Sequence, residues 1–203
     1  MSRENENYFE ISLHYLSRAL ARDLEELAAA LPGRKHEDKV VFKAFASECR
    51  LAPEGITLDG ELETGPKSII ISMYALNVPS EPWASVQKWI SFKELPNTMP
   101  YWGAFRANAE EILIPHVHRI RDSLDSIVSK LDGYITNNTP GDVAVVVFPL
   151  PKVPLLYIFY LADDEFPAEA KCLFPAGVDS FMPSDVLADL AEHTSRLLIE
   201  LAE

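Results

Sequence analysis

Val143-Ala144-Val145-Val146-Val147-Phe148 and Leu155-Leu156-Tyr157-Ile158-Phe159-Tyr160-Leu161 are uninterrupted apolar runs joined by Pro149-Leu150-Pro151-Lys152-Val153-Pro154. Both are rich in β-branched and aromatic residues and too short for a buried helix, so they read as strands. A strand apolar on both faces is covered on both faces, which makes the pair central in a sheet. Lys171-Cys172-Leu173-Phe174 reads as a third strand. Pro183-Ser184-Asp185 then starts a closing helix with Leu187, Leu190, Thr194, Leu197 and Leu201 as its inner stripe. Before the strands, Leu113, Val117, Ile120, Leu124, Ile127 and Leu131 recur at helical steps, with Pro115 among them. The pattern predicts one helix near Trp102 to Leu113 and another from Pro115, since proline suits a first helical position. Gly133 is expected as a left-handed cap.

The first part of the chain has the same mixture. Phe9, Leu13, Leu16, Leu20, Leu24, Leu27 and Leu31 predict a single helix from about Tyr8 to Leu31, stopped at Pro32-Gly33. Val40 to Ala46, Glu48 to Leu51 and Ile56 to Leu58, punctuated by Pro53-Glu54-Gly55 and Asp59-Gly60, read as a small antiparallel meander. Ile69 to Leu76 is a strand by β-branching. It is a helix by its one-sided Ile69, Ile70, Met73, Tyr74 and Asn77, and the short helix is the preferred reading. No internal repeat is visible. Helices and strands come in blocks, so the expected class is α+β: a mostly antiparallel sheet with packed helices, long at both ends of the chain. A single domain over 1–203 is expected, with the helix at about 8–31 peripheral.

Lys and Arg number 18 against 31 Asp and Glu, a net charge of −13 over 203 residues. A phosphate-binding face needs clustered cations, so a nucleic-acid partner is not expected. The polar N-terminus and the shortness of every apolar run predict neither a signal peptide nor a membrane span. Two distant cysteines, Cys49 and Cys172, exclude a disulfide framework, a zinc ribbon and an iron–sulfur cluster held by this chain. A reducing, cytoplasmic setting is the expectation. Phosphate-loop, dinucleotide, zinc-protease and nucleophile-elbow motifs are absent. His116 and His118, two apart, lie about 200° apart on a helix and cannot share a metal.

Two stretches carry candidate site residues. In Pro79 to Tyr101 and its flank, four prolines alternate with aromatics, and Trp83, Trp89, Trp102, Phe92, Tyr101 and Phe105 gather. Trp89, Ser91, Phe92, Glu94, Pro96 and Trp102 are candidates for binding a flat apolar ligand, with Lys88 or Arg106 meeting its carboxylates. The alternative is that the aromatics are simply core. Asp163-Asp164-Glu165-Phe166-Pro167 follows a strand, at a sheet edge. Asp163, Asp164 and Glu165 would raise one another's pKa as a general base or offer oxygens to Mg²⁺ or Ca²⁺, with Phe166 beside them. The structural alternative makes them a cap before a short helix at Pro167-Ala168-Glu169-Ala170.

Trp89-Ile90-Ser91-Phe92-Lys93-Glu94-Leu95-Pro96 resembles one signature of an uncharacterised prokaryotic family, domain of unknown function 3786. Gly141-Asp142, Phe148 to Leu155, Asp163 to Pro167, Lys171 to Phe174 and Phe181-Met182-Pro183-Ser184-Asp185-Val186-Leu187 complete the likeness. The resemblance implies an origin largely among anaerobic bacteria and archaea. It also implies a connection with the cluster-binding module of corrinoid iron–sulfur proteins, which some members carry and this chain lacks. Met73-Tyr74 stands where other members favour His-Tyr. No catalytic residue follows from the likeness.

The expectation is a non-catalytic binding or accessory domain for a flat cofactor or a protein partner of anaerobic corrinoid or redox metabolism. A structural or interaction module ranks second, and an enzyme using Asp163, Glu165 and Glu94 third.

Overall fold

The structure, a computed structural model, describes residues 3–81, 86 and 88–203. Trp83 lies outside the described residues. The chain divides into two compact units, residues 1–85 with Leu150–Lys152, and residues 86–149 with 153–203.

In the first unit, α1 (Arg3–Leu20) and α2 (Leu24–Ala30) precede β1 (Arg34–His36), β2 (Lys39–Ala44), β3 (Ser47–Ala52), β4 (Gly55–Leu58) and β5 (Glu61–Leu62). The strands form an antiparallel sheet in chain order. α3 (Pro66–Asn77) packs along α1. Alternation sets the faces: Val40, Phe42, Ala44, Cys49 and Leu51 are buried while Lys39, Lys43 and Arg50 point away. Where one N-terminal helix was expected, the chain forms two. Asp23 is the reason, because its Oδ1 accepts from Glu25 N–H at 2.9 Å and Glu26 N–H at 3.0 Å and restarts the helix. The expected short helix at Ile69 to Leu76 is present as α3.

In the second unit, β6 (Trp89–Ser91) precedes α4 (Trp102–Phe105), α5 (Val117–Asp122) and α6 (Leu124–Lys130). β7 (Tyr134–Ile135), β8 (Val143–Leu150), β9 (Val153–Tyr160), β10 (Glu169–Pro175) and α7 (Ser184–Leu201) follow. The sheet order is β6-β10-β9-β8-β7, so the two apolar runs are indeed interior strands. Three details differ from expectation. Glu169-Ala170 opens a strand rather than a helix, pairing with Tyr160 and Phe159. The helix through Pro115 passes through a π turn at Arg106–Glu110 and a 3₁₀ stretch at Glu111–His116, then breaks again at Ser123. At Gly133 the left-handed residue is its neighbour Asp132 (φ 50°). A glycine is required at 133 because the Val146 carbonyl occupies the place of a Cβ. The class is α+β with antiparallel sheets, as expected. Among the described residues no helix is long and apolar enough to cross a membrane.

Candidate functional site

The first candidate stretch lies at the edge of the second sheet. β6 pairs antiparallel with β10, Trp89 opposite Pro175 and Ser91 opposite Leu173. Trp89 is half-buried against Ala144, Val146, Leu156 and Ile158. Phe92 is fully buried, stacked on Phe105 with centroids 4.3 Å apart, and Phe174 stands 5.9 Å from both rings. Trp102 is half-buried, stacked on Phe105 at 5.9 Å, with Lys93 Nζ 4.1 Å from its ring centroid. These aromatics are therefore packed against one another rather than presented as bare walls.

The polar residues of the stretch serve the backbone. Glu94 Oε2 accepts the Ser91 N–H at 2.8 Å, closing a 3₁₀ turn at Phe92–Glu94. That donor holds the Glu94 carboxyl below the usual carboxylate range, with the Lys88 ammonium at 3.4 Å adding to the effect. Arg106 pairs with Glu111 at 2.7 Å. Pro96 is exposed, and its carbonyl accepts the Ser184 Oγ–H at 2.6 Å. Around this bond lies an open depression of about 290 Å³, walled by Pro96, Asn97 and Tyr101 on one side and Asp179, Pro183, Ser184 and Asp185 on the other. Tyr101, one of these walls, is exposed.

The acidic stretch is a turn of its own. Asp163 Oδ1 accepts from Glu165 N–H at 2.8 Å and Phe166 N–H at 2.7 Å. These two donors lower the Asp163 pKa, the opposite of mutual elevation among neighbouring acids. Asp164, Glu165 and Phe166 are exposed. Asp142 does the same work nearby, its Oδ2 accepting the Leu161 N–H at 2.7 Å. The two candidate stretches do not meet along the sheet. The acidic turn precedes Glu169, whereas Ser91 pairs with Leu173, and the strand between these positions covers about 14 Å.

Sequence reasoning missed a buried polar thread. Glu110 belongs to the π turn, and its Oε1 accepts the Cys172 N–H at 3.1 Å. Tyr157 OH lies 3.2 Å from the Ala191 carbonyl and 3.1 Å from Ser195 Oγ, which donates to the Ala109 carbonyl at 2.6 Å. Burial raises the Glu110 carboxyl, the Cys172 thiol and the Tyr157 phenol above their ordinary values. The signal was hidden because an acid within a helical pattern reads as solvated, and only the wider π turn turns Glu110 inward. In the first unit Tyr74 is fully buried, and its hydroxyl accepts the Lys152 N–H at 3.1 Å. Lys152 Nζ donates to the carbonyls of Pro79 at 2.7 Å and Glu81 at 3.0 Å. Burial, then the Arg22 charge, lower its pKa. Among the described residues no group of three His, Cys, Asp or Glu is placed to hold a metal ion.

The likeness seen in the sequence has its counterpart among known families. The family described as "Domain of unknown function (DUF3786)" matches residues 23–197. The chain belongs to it. The DUF3786 match takes in every candidate residue above, nearly all of the second unit, and the first unit from Asp23 onward, without α1. No match was found among the curated proteins or the solved structures.

Proposed function

We propose that this DUF3786 chain is a non-catalytic binding or accessory module, cytoplasmic and linked to anaerobic corrinoid or redox metabolism, with its ligand surface at the depression beside Pro96. One observation carries the reading. The aromatic signature and the tail signature are joined by the Ser184–Pro96 hydrogen bond, and they wall one open depression. Tyr101 offers an apolar face for a flat ring, and Asp179 and Asp185 offer acceptors for its amide donors. A packed site with its carboxylates used as backbone acceptors favours holding a ligand over turning one over.

Equilibrium dialysis with hydroxocobalamin and haemin, alongside tryptophan fluorescence, tests this. Saturable binding that Tyr101→Ala weakens by about tenfold or more is expected, the loss of one aromatic contact at a binding surface. Absence of binding by both compounds overturns the small-molecule reading.

The second reading is a structural or protein-interaction module, favoured by Glu94 acting on Ser91 N–H. It expects Glu94→Ala to lower the thermal midpoint, read by calorimetry, while Tyr101→Ala leaves the midpoint unchanged and no flat ligand binds either protein.

A further inference from the structure

The outer face of the first sheet differs from the rest of this acidic chain. Arg34 pairs with Val41, and Val41 with Arg50, so these three side chains form one row across β1, β2 and β3. His36 opposite Lys39 extends the same face on one side, and Lys43 opposite Glu48 on the other. Cross-strand partners project to the same side, with Cβ atoms about 5 Å apart. Four permanent cations and a histidine therefore share this patch with three carboxylates, Glu37, Glu48 and Glu54, the last paired with Lys39 at 3.4 Å, on a chain of net charge −13. Arg34, His36, Lys39 and Arg50, with Glu37 and Glu48, surround a depression of about 260 Å³ whose floor is Val41.

Glu48 demonstrates what the patch accepts. Its Oε1 takes hydrogen bonds from Arg50 Nε at 2.9 Å and Nη2 at 2.6 Å, and its Oε2 takes one from Arg34 Nη2 at 3.1 Å. A carboxylate thus sits between two guanidinium forks, the geometry in which arginine recognises carboxylates and phosphates. Lys39, which Glu54 also engages, and His36 line the same depression.

We propose that this face is a binding site for a compact multivalent oxyanion, a phosphate ester or a small polycarboxylate, held by Arg34 and Arg50 with Lys39 and His36 beside them. Glu48 competes for the same donors and sets the affinity. The site is independent of the depression beside Pro96.

Isothermal titration at low ionic strength with inorganic pyrophosphate and with citrate tests it, low salt being needed because exposed charges are screened. Both Arg34→Gln and Arg50→Gln are expected to weaken binding about tenfold or more, the loss of a charge-assisted bond. Glu48→Gln is expected to tighten it. Arg121→Gln, an exposed cation of the other unit, is expected to leave it unchanged. Pyrophosphate binding without citrate binding assigns phosphate as the recognised group, and the reverse assigns carboxylates. Arg50→Gln binding as tightly as the parent, Arg121→Gln losing as much as Arg50→Gln, or heat from neither anion overturns the proposal. Circular dichroism confirms that each variant is folded, and these side chains are exposed enough for that to be expected.

Discussion

Carboxylates in this chain repeatedly act as acceptors for backbone N–H groups at turns. Asp23 caps α2, Asp59 Oδ1 takes the Glu48 N–H at 2.9 Å, and Glu94, Asp142 and Asp163 close turns around the second sheet. An acid that satisfies an otherwise open donor and an acid that performs chemistry are the same residue type. That is why Glu94 and Asp163 to Glu165 read as candidates before their hydrogen bonds are known. Asp189 on α7 is the opposite case. Partial burial, together with Glu192 and Asp185, raises its pKa to about 6. A carboxyl that ionises less readily when folded costs stability as pH rises from its unfolded value near 4 through 6. Asp189→Asn is therefore expected to raise the thermal midpoint at pH 7 and to leave it nearly unchanged at pH 3.5. Calorimetry at the two pH values reads the difference.

At the scale of elements, two junctions follow one plan. Asp23-Leu24 to Leu31-Pro32-Gly33 and Ser123-Leu124 to Leu131-Asp132-Gly133 stand one hundred positions apart, with Leu24, Leu27, Leu31 and Gly33 answered by Leu124, Ile127, Leu131 and Gly133. Gly33 N–H donates to the Ala28 carbonyl and Gly133 N–H to the Val128 carbonyl, each at 2.8 Å. Each glycine then lets a strand carbonyl approach, Val41 for Gly33 and Val146 for Gly133. In both units a helix pair leads into a short edge strand, a meander and a final helix. Gly133→Ala is expected to destabilise the fold by about 1–3 kcal/mol, because the backbone must move to admit a methyl group. Chemical denaturation measures it. The parallel is faint in the sequence because few positions carry it, and the loop after β7 is longer than the one after β1. β1, β5, β6 and β7 are also hard to read. They have two or three residues each, too few for the alternation that marks a strand, and β1, β5 and β7 are exposed throughout.

At the scale of the whole molecule, what sequence patterning conveys well is long, regular and apolar. Interior strands β8 and β9, the closing helix α7 and the α+β class were readable for that reason. The candidate depression was not, because Pro96 and Ser184 are 88 positions apart and neither carries a periodic signal. The basic face was hidden by averaging. A net charge of −13 describes the sum and says nothing about which cations an antiparallel register lines up. The buried state of Cys49 and Cys172 has a practical consequence. Burial raises both thiol pKa values, so neither presents a reactive thiolate to a maleimide reagent while the protein is folded. Mass spectrometry of the native protein after brief exposure is expected to show no adduct, and two adducts once it is unfolded. A cysteine introduced at Tyr101 or at His36 would then be the sole labelling position, giving each proposed surface its own fluorophore without removing either native sulfur.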